Sequence, residues 1–213
     1  HSLALSSQGV LATADWDGYI RLFNARTMTP IRHALAHAGG AMAVDFSRDG
    51  SRLLSCGKDD LAHIWDVATL TKVKTFRGHT DIVLSVDFAP DEKTIVTGSI
   101  DKTGRVWDVE SGEELFRFDD PSDWVRCVRF NSDGSTIAWA SQESVKIWDV
   151  ATRQVAKELK GHTESVWRFS YGRDDRTIIT PAFDNTVRIW DIEKGWERLV
   201  IRNEHATSPL VVE

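Results

Sequence analysis

The chain has 213 residues, 32 acidic and 26 basic, for a formal charge of −6, with 41% hydrophobic and 27% charged side chains. Those are the proportions of an ordinary globular protein. No apolar run reaches the length of a membrane span, and the acidic balance speaks against a binder of phosphate backbones while leaving room for a basic peptide.

Nine tryptophans against two tyrosines and two methionines ask for a positional explanation. In chain order, Phe23-Asn24, Trp65-Asp66, Trp107-Asp108, Trp148-Asp149 and Trp190-Asp191 recur at spacings of 42, 42, 41 and 42 residues. His37, His79 and His162 each stand 28 residues before their aromatic, the last two in Gly-His pairs. Asp17, Asp59, Asp101 and Asp184 stand six before, and Thr13, Ser55, Thr97 and Thr180 ten before. Between these markers run alternating apolar segments such as Val83 to Phe88, separated by turns such as Ser47-Arg48-Asp49-Gly50 and Asn131-Ser132-Asp133-Gly134. Short strands and turn signals at a fixed period predict repeated antiparallel sheets.

Gly-His and Trp-Asp at this period make the chain resemble the WD-repeat (WD40) family over essentially its whole length. The resemblance implies an all-β, β-propeller fold of four-stranded antiparallel blades, packed radially because one blade cannot bury both its faces alone. On this reading 1–213 is a single propeller segment, with repeats ending near residues 24, 66, 108, 149 and 191. His1 to Ser7 falls inside an innermost strand, and a partial sixth unit covers 204–213, with Glu204-His205 in the Gly-His place. The expectation is therefore about five repeats of a six- to eight-bladed ring, with a closed five-blade ring and self-association as alternatives.

Each intact unit holds His, Ser or Thr, Asp and Trp, a set that mimics a catalytic constellation. The resemblance implies a structural tetrad instead: His37, Ser55, Asp59 and Trp65; His79, Thr97, Asp101 and Trp107; His162, Thr180, Asp184 and Trp190, with the hydroxyl taken from the regular series ten before the aromatic and Ser99 as the alternative to Thr97. The chemistry agrees, since Asp can accept from His, His can reach the hydroxyl, and a buried indole N–H needs an acceptor. A triad also occurs once, beside an oxyanion hole, rather than three times. In the fourth unit Pro121 takes the His place, Trp139 the Ser/Thr place and Glu143 stands near the Asp place, so the polar members are expected to be lost together, leaving Trp148.

In this family partners bind the top face, near the channel mouth. The residues that line it, carried onto this chain, are Trp16, Lys58, Ile100, Phe183 and Gln142, and then Gly40, Met42, Ile82, Leu84, Trp124, Arg126, Ser165 and Trp167. The aromatic and aliphatic members would form an apolar patch larger than monomers ordinarily expose; the other reading packs some of them in the channel or between blades. Lys58 and Arg126 could hold a carboxylate.

No catalytic residue, cofactor, metal site or small-molecule substrate is expected. Gly-rich phosphate loops and zinc spacings are absent, His33 and His37 sit in a strand-to-strand link, and Cys56 and Cys127 stand alone. The lone cysteines and the lack of an N-x-Ser/Thr acceptor site fit an intracellular protein, cytoplasmic or nuclear. The leading functional reading is a non-catalytic scaffold for protein or peptide partners within a multiprotein complex. The alternatives are a sensory or regulatory propeller of a larger enzyme or NTPase, and an RNA-binding propeller that uses Trp16, Trp124 and Trp167 as stacking platforms.

Overall fold

The computed structural model describes residues 2–121 and 123–202. The partial sixth unit expected at 204–213 lies outside them. Among the described residues twenty strands form five four-stranded antiparallel sheets, each with its strands in chain order from one edge to the other. Blade 1 is β1 (Ser2–Leu5), β2 (Val10–Ala14), β3 (Tyr19–Asn24) and β4 (Pro30–Leu35). Blade 2 is β5 (Ala41–Phe46), β6 (Arg52–Gly57), β7 (Ala62–Asp66) and β8 (Thr71–Phe76). Blade 3 is β9 (Val83–Phe88), β10 (Thr94–Ser99), β11 (Thr103–Asp108) and β12 (Glu114–Asp119). Blade 4 is β13 (Cys127–Phe130), β14 (Thr136–Ser141), β15 (Ser144–Asp149) and β16 (Gln154–Lys160). Blade 5 is β17 (Ser170–Tyr171), β18 (Thr177–Pro181), β19 (Thr186–Asp191) and β20 (Trp196–Arg202). Among the described residues there is no helix, and so none long and apolar enough to cross a membrane.

The Trp-Asp pair closes the third strand of each blade rather than the blade itself, so a sequence repeat straddles two blades. The acid of the pair caps the turn that follows: Asp66, Asp108 and Asp149 accept from the backbone N–H of Thr69, Ser111 and Thr152 at 2.8, 2.7 and 2.7 Å. Asn24 and Asp191 accept from Thr27 N and Lys194 N in the same way, and the five turns pass through a left-handed residue, Met28, Leu70, Gly112, Arg153 or Gly195. Glycine takes that conformation freely, while the other three residues need the cap to hold it. In every blade the pairing of the third and fourth strands then bulges at the aromatic position.

Four apolar clusters fill the four interfaces between successive blades. In each, one blade offers small and aliphatic residues and the next offers its Trp face. Ala12, Ala14, Ile20 and Leu22 of blade 1 meet Val44, Phe46, Leu53 and Trp65 of blade 2. At the register positions of Val44 and Phe46 (4% and 9% exposed), blade 1 carries Leu3 and Leu5, which are 61% and 65% exposed. Ile201 of blade 5 stands where Phe76, Phe118 and Leu159 are 1–2% exposed, yet is itself 47% exposed. Among the described residues no apolar cluster joins blade 5 to blade 1.

Candidate functional site

Three blades carry the same hydrogen-bonded chain. In blade 3, His79 Nδ1 donates to Asp101 (2.8 Å), Thr97 Oγ1 donates to His79 Nε2 (2.7 Å), and Trp107 Nε1 donates to Thr97 Oγ1 (2.9 Å). Blade 2 repeats it through His37, Asp59, Ser55 and Trp65 at 2.7, 2.8 and 2.9 Å. Blade 5 does so through His162, Asp184, Thr180 and Trp190 at 2.8, 2.6 and 2.8 Å. The hydroxyls and imidazoles are buried. Burial pushes the Asp101 and Asp184 carboxyls up, but His79 and Thr103, and Thr186 and His162, hold both below the ordinary carboxylate range. Burial also lowers His162, which favours its neutral form. In each of these chains the hydroxyl donates to a buried imidazole nitrogen and accepts from a buried indole N–H, the pattern of a structural network.

The tetrad also staples a loop. Asp101 and Asp184 sit in the turn between second and third strands and accept from Thr80 N and Thr163 N (both 3.1 Å) in the loop that enters the blade. Asp59 accepts from Ala38 N at 3.4 Å. In blade 1 the matching acid, Asp17, accepts from Tyr19 N (3.1 Å) and pairs with Arg21, while Thr13 donates to Asp15 (3.0 Å).

Blade 4 lacks the polar members of the tetrad and carries a different network in their place. That network takes its acids from the entering loop instead of the turn. Trp139 Nε1 donates to the fully buried Asp120 (2.8 Å), and Lys146 Nζ reaches both Asp120 oxygens (2.9 and 2.8 Å). Asp123, in the entering loop, accepts from Gln142 N (3.0 Å) and pairs with Arg126. Burial pushes Asp123 up, but those donors hold it below its usual value. The loop thus supplies the carboxylates that the turn supplies elsewhere. Glu143 is exposed and takes no part, and Trp148 Nε1 is buried without a partner.

The residues expected at the top face divide by blade. Met42 is a correction: it is 7% exposed and packs in the blade 2–3 core. It is the bulged residue between Ala41 and Ala43, and the bulge turns its side chain inward. Leu84 sits in the equivalent bulge of blade 3; with Ile82 it is half-buried against the same core, and Ile100 is also half-buried. In blades 2, 3 and 5 the loop and the turn are tied by Lys58 N to Gly40 O, Ile100 N to Ile82 O, and Phe183 N to Ser165 O (3.0, 3.0 and 3.1 Å).

Trp16, Trp124, Trp167 and Phe183 are exposed. The inner strands of blades 4 and 5 start late: β5 and β9 begin at residues 41 and 83, whereas β13 begins at 127 and β17 only at 170, after an isolated Val166–Ala182 bridge. Residues outside the ladder are released to the surface, which is why Trp167 is exposed at the register position where Met42 is buried. Neither expected cation is idle. Lys58 lies 4.4 Å over the Trp16 ring, and the Arg126 guanidinium lies between Trp124 (5.1 Å) and Trp167 (5.6 Å). Trp167 and Phe183 meet edge-on at 90° with centroids 6.4 Å apart. A cavity of about 390 Å³ opens beside them, lined also by Arg126, Gln142, Glu143 and Glu164.

His37, Asp59 and His63 bring three potential metal-ligand atoms within 4.8 Å. Their donors are committed, however. Both His37 nitrogens serve the tetrad, and Lys72 Nζ donates to His63 Nε2 (3.0 Å), so His63 Nδ1 carries the proton that Thr75 Oγ1 accepts (3.0 Å). Burial, His37 and Lys72 lower His63 to about 3, so it stays neutral.

Five four-stranded blades with a buried tetrad in three of them define a β-propeller repeat architecture. The WD domain, G-beta repeat family model matches residues 28–66, 70–108, 112–149 and 153–191, and the chain belongs to that family. It is 36% identical over 50 residues to Cell division control protein 4 of Saccharomyces cerevisiae, covering 24% of this chain and 6% of that protein. It is 32% identical over 57 residues to Autophagy-related protein 16 of Arabidopsis thaliana (26% and 11%), and 41% over 51 residues to a subunit of chromatin assembly factor 1 of Mus musculus (24% and 9%). The match thus spans about a tenth or less of each of these relatives.

Proposed function

We propose that this chain is a non-catalytic scaffold that presents the loop end of blades 4 and 5 to a protein or peptide partner inside a cytoplasmic or nuclear complex. The observation that carries the reading is the exposed aromatic set Trp124, Trp167 and Phe183, gathered where two inner strands start late. Tryptophan and arginine dominate binding hot spots, and large aromatics cost little conformational entropy to immobilise. Membership of a repeat family whose relatives include, by name, part of a chromatin assembly factor supports a role in assemblies. Another relative is named as an RNA-associated protein, U3 small nucleolar RNA-associated protein 21 homolog of Schizosaccharomyces pombe, which keeps RNA as the competing ligand.

The test is affinity capture from the cells that express the protein, followed by reconstitution with the purified captured protein. Trp167→Ala with Phe183→Ala should weaken the reconstituted complex at least about tenfold while leaving the melting temperature near that of the parent. Unchanged affinity moves the docking surface elsewhere. Ribonuclease-sensitive capture with a steep salt dependence selects the RNA reading.

A further inference from the structure

We propose that the cavity between blades 4 and 5 binds a cationic side chain, lysine or arginine, of the protein partner. The inference rests on the scaffold reading above and adds the chemistry of its ligand.

Two walls are aromatic and perpendicular. Trp167 and Phe183 are 38% and 43% exposed and meet at 90°, so they form a corner that offers π surface to whatever enters. An aromatic face carries negative potential and attracts a cation placed over it. The remaining walls carry Glu143 and Glu164, both exposed, with Gln142, Thr163 and Ser165 as neutral hydrogen-bonding groups. The cation in the lining, Arg126, is already neutralised by Asp123, and its guanidinium is sandwiched by Trp124 and Trp167. Its buried Nε has no acceptor.

The charge balance selects the sign of the ligand. With Arg126 cancelled by Asp123, the described lining presents two carboxylates and no free positive charge, on a chain of net charge −6. An anionic side chain would meet Glu143 and Glu164, whereas an aliphatic one would fill the corner and gain nothing from either carboxylate. A lysine or arginine side chain suits both halves: its stem packs on the aromatic corner and its head reaches the acids. The late start of β17 shapes the site, because it releases Trp167 from the position at which Met42 turns into the core.

The experiment follows the indole N–H signal of Trp167, assigned with Trp167→Phe, in ¹H–¹⁵N spectra of the full chain. The probes are the N-acetyl methylamides of lysine, arginine, norleucine and glutamate at millimolar concentration. Lysine and arginine probes are expected to shift the signal saturably, and the other two are not. The Glu143→Gln, Glu164→Gln double variant changes only exposed side chains, so the fold persists; it should weaken the lysine probe about fivefold or more. Norleucine binding as tightly as lysine, in parent and double variant alike, overturns the cation proposal while leaving an apolar docking corner and the scaffold reading intact. A uridine oligonucleotide that shifts the signal when the cationic probes do not overturns the proposal in favour of base stacking. Silence from every probe overturns it too, and the reconstituted complex then decides the scaffold reading separately.

Discussion

Thr97→Val tests whether the tetrad stabilises the fold as a relay in which each member depends on the next. The substitution is nearly isosteric, yet it removes one oxygen that serves two buried groups, the Trp107 indole N–H at 2.9 Å and His79 Nε2 at 2.7 Å. Asp101 fixes the proton on His79 Nδ1, so Nε2 can only accept and no tautomer change repairs the loss. Leaving a buried polar group unpaired costs about 1–3 kcal/mol. Two such groups predict a loss of about 2–6 kcal/mol, a large part of the roughly 5–15 kcal/mol that holds an ordinary domain together. For a chain of this size, that corresponds to a fall in Tm of about 4–24 °C. Urea unfolding followed by tryptophan fluorescence measures it. The control is the same change in a Trp107→Phe background, where the indole N–H is already gone. There Thr97→Val should cost about 1–3 kcal/mol less. A single-variant cost within about 0.5 kcal/mol of zero, typical of a neutral surface change, or an equal cost in both backgrounds, would refute the relay.

Lys146→Met removes the cation bound to fully buried Asp120 and should destabilise the protein by about 3 kcal/mol; adding Asp120→Asn should restore more than half of that in the same urea assay. A double variant no better than the single one would dismiss the buried ion pair as the substitute for the tetrad. Asp87, on β9, faces Asp45 and Arg129 at the same register of the neighbouring inner strands, and burial pushes it up to about 8 against the opposing pull of Arg129. Its folded form keeps a proton that the unfolded chain has released above about pH 4, so it contributes a loss of stability as pH rises from about 4 to 8. Asp87→Asn should flatten that part of the urea-midpoint profile, and an unaltered slope would count against it.

The period of the Trp-Asp pairs makes the five blades legible, because a fixed offset from an aromatic is a sequence property. The tetrad residues are legible for the same reason. The bulges at Met42 and Leu84 are not, since an extra residue in one strand leaves no mark on an apolar run and reverses which side faces the core. The substitute network of blade 4 leaves a weak signal. Lys146 falls in the third-strand position held by Arg21, Arg105 and Arg188, and Asp120 and Asp123 flank Pro121 at the place of the missing His. A comparison restricted to the four tetrad positions looks past acids that moved to the other side of the hydrogen bond. The second half of each Trp-Asp pair reads as a mere marker, because its work as a turn cap is disguised where the left-handed position is Met28, Leu70 or Arg153.

The rebuilt network and the candidate binding corner are two consequences of one change. In blades 2, 3 and 5 the turn acid reaches across to the entering loop and holds it with a backbone hydrogen bond. In blade 4 the turn has no such acid, and Asp123 of the loop reaches back to Gln142 N instead. That reversal places a carboxylate beside Arg126, whose guanidinium lies over both the Trp124 and the Trp167 rings and so links the two across two blades. It also leaves Glu143, at the position vacated by the turn acid, free to line the neighbouring cavity. The same substitution that cost the blade its tetrad therefore supplies both the pairing of Arg126 and the negative charge on which the proposed recognition of a cationic side chain depends.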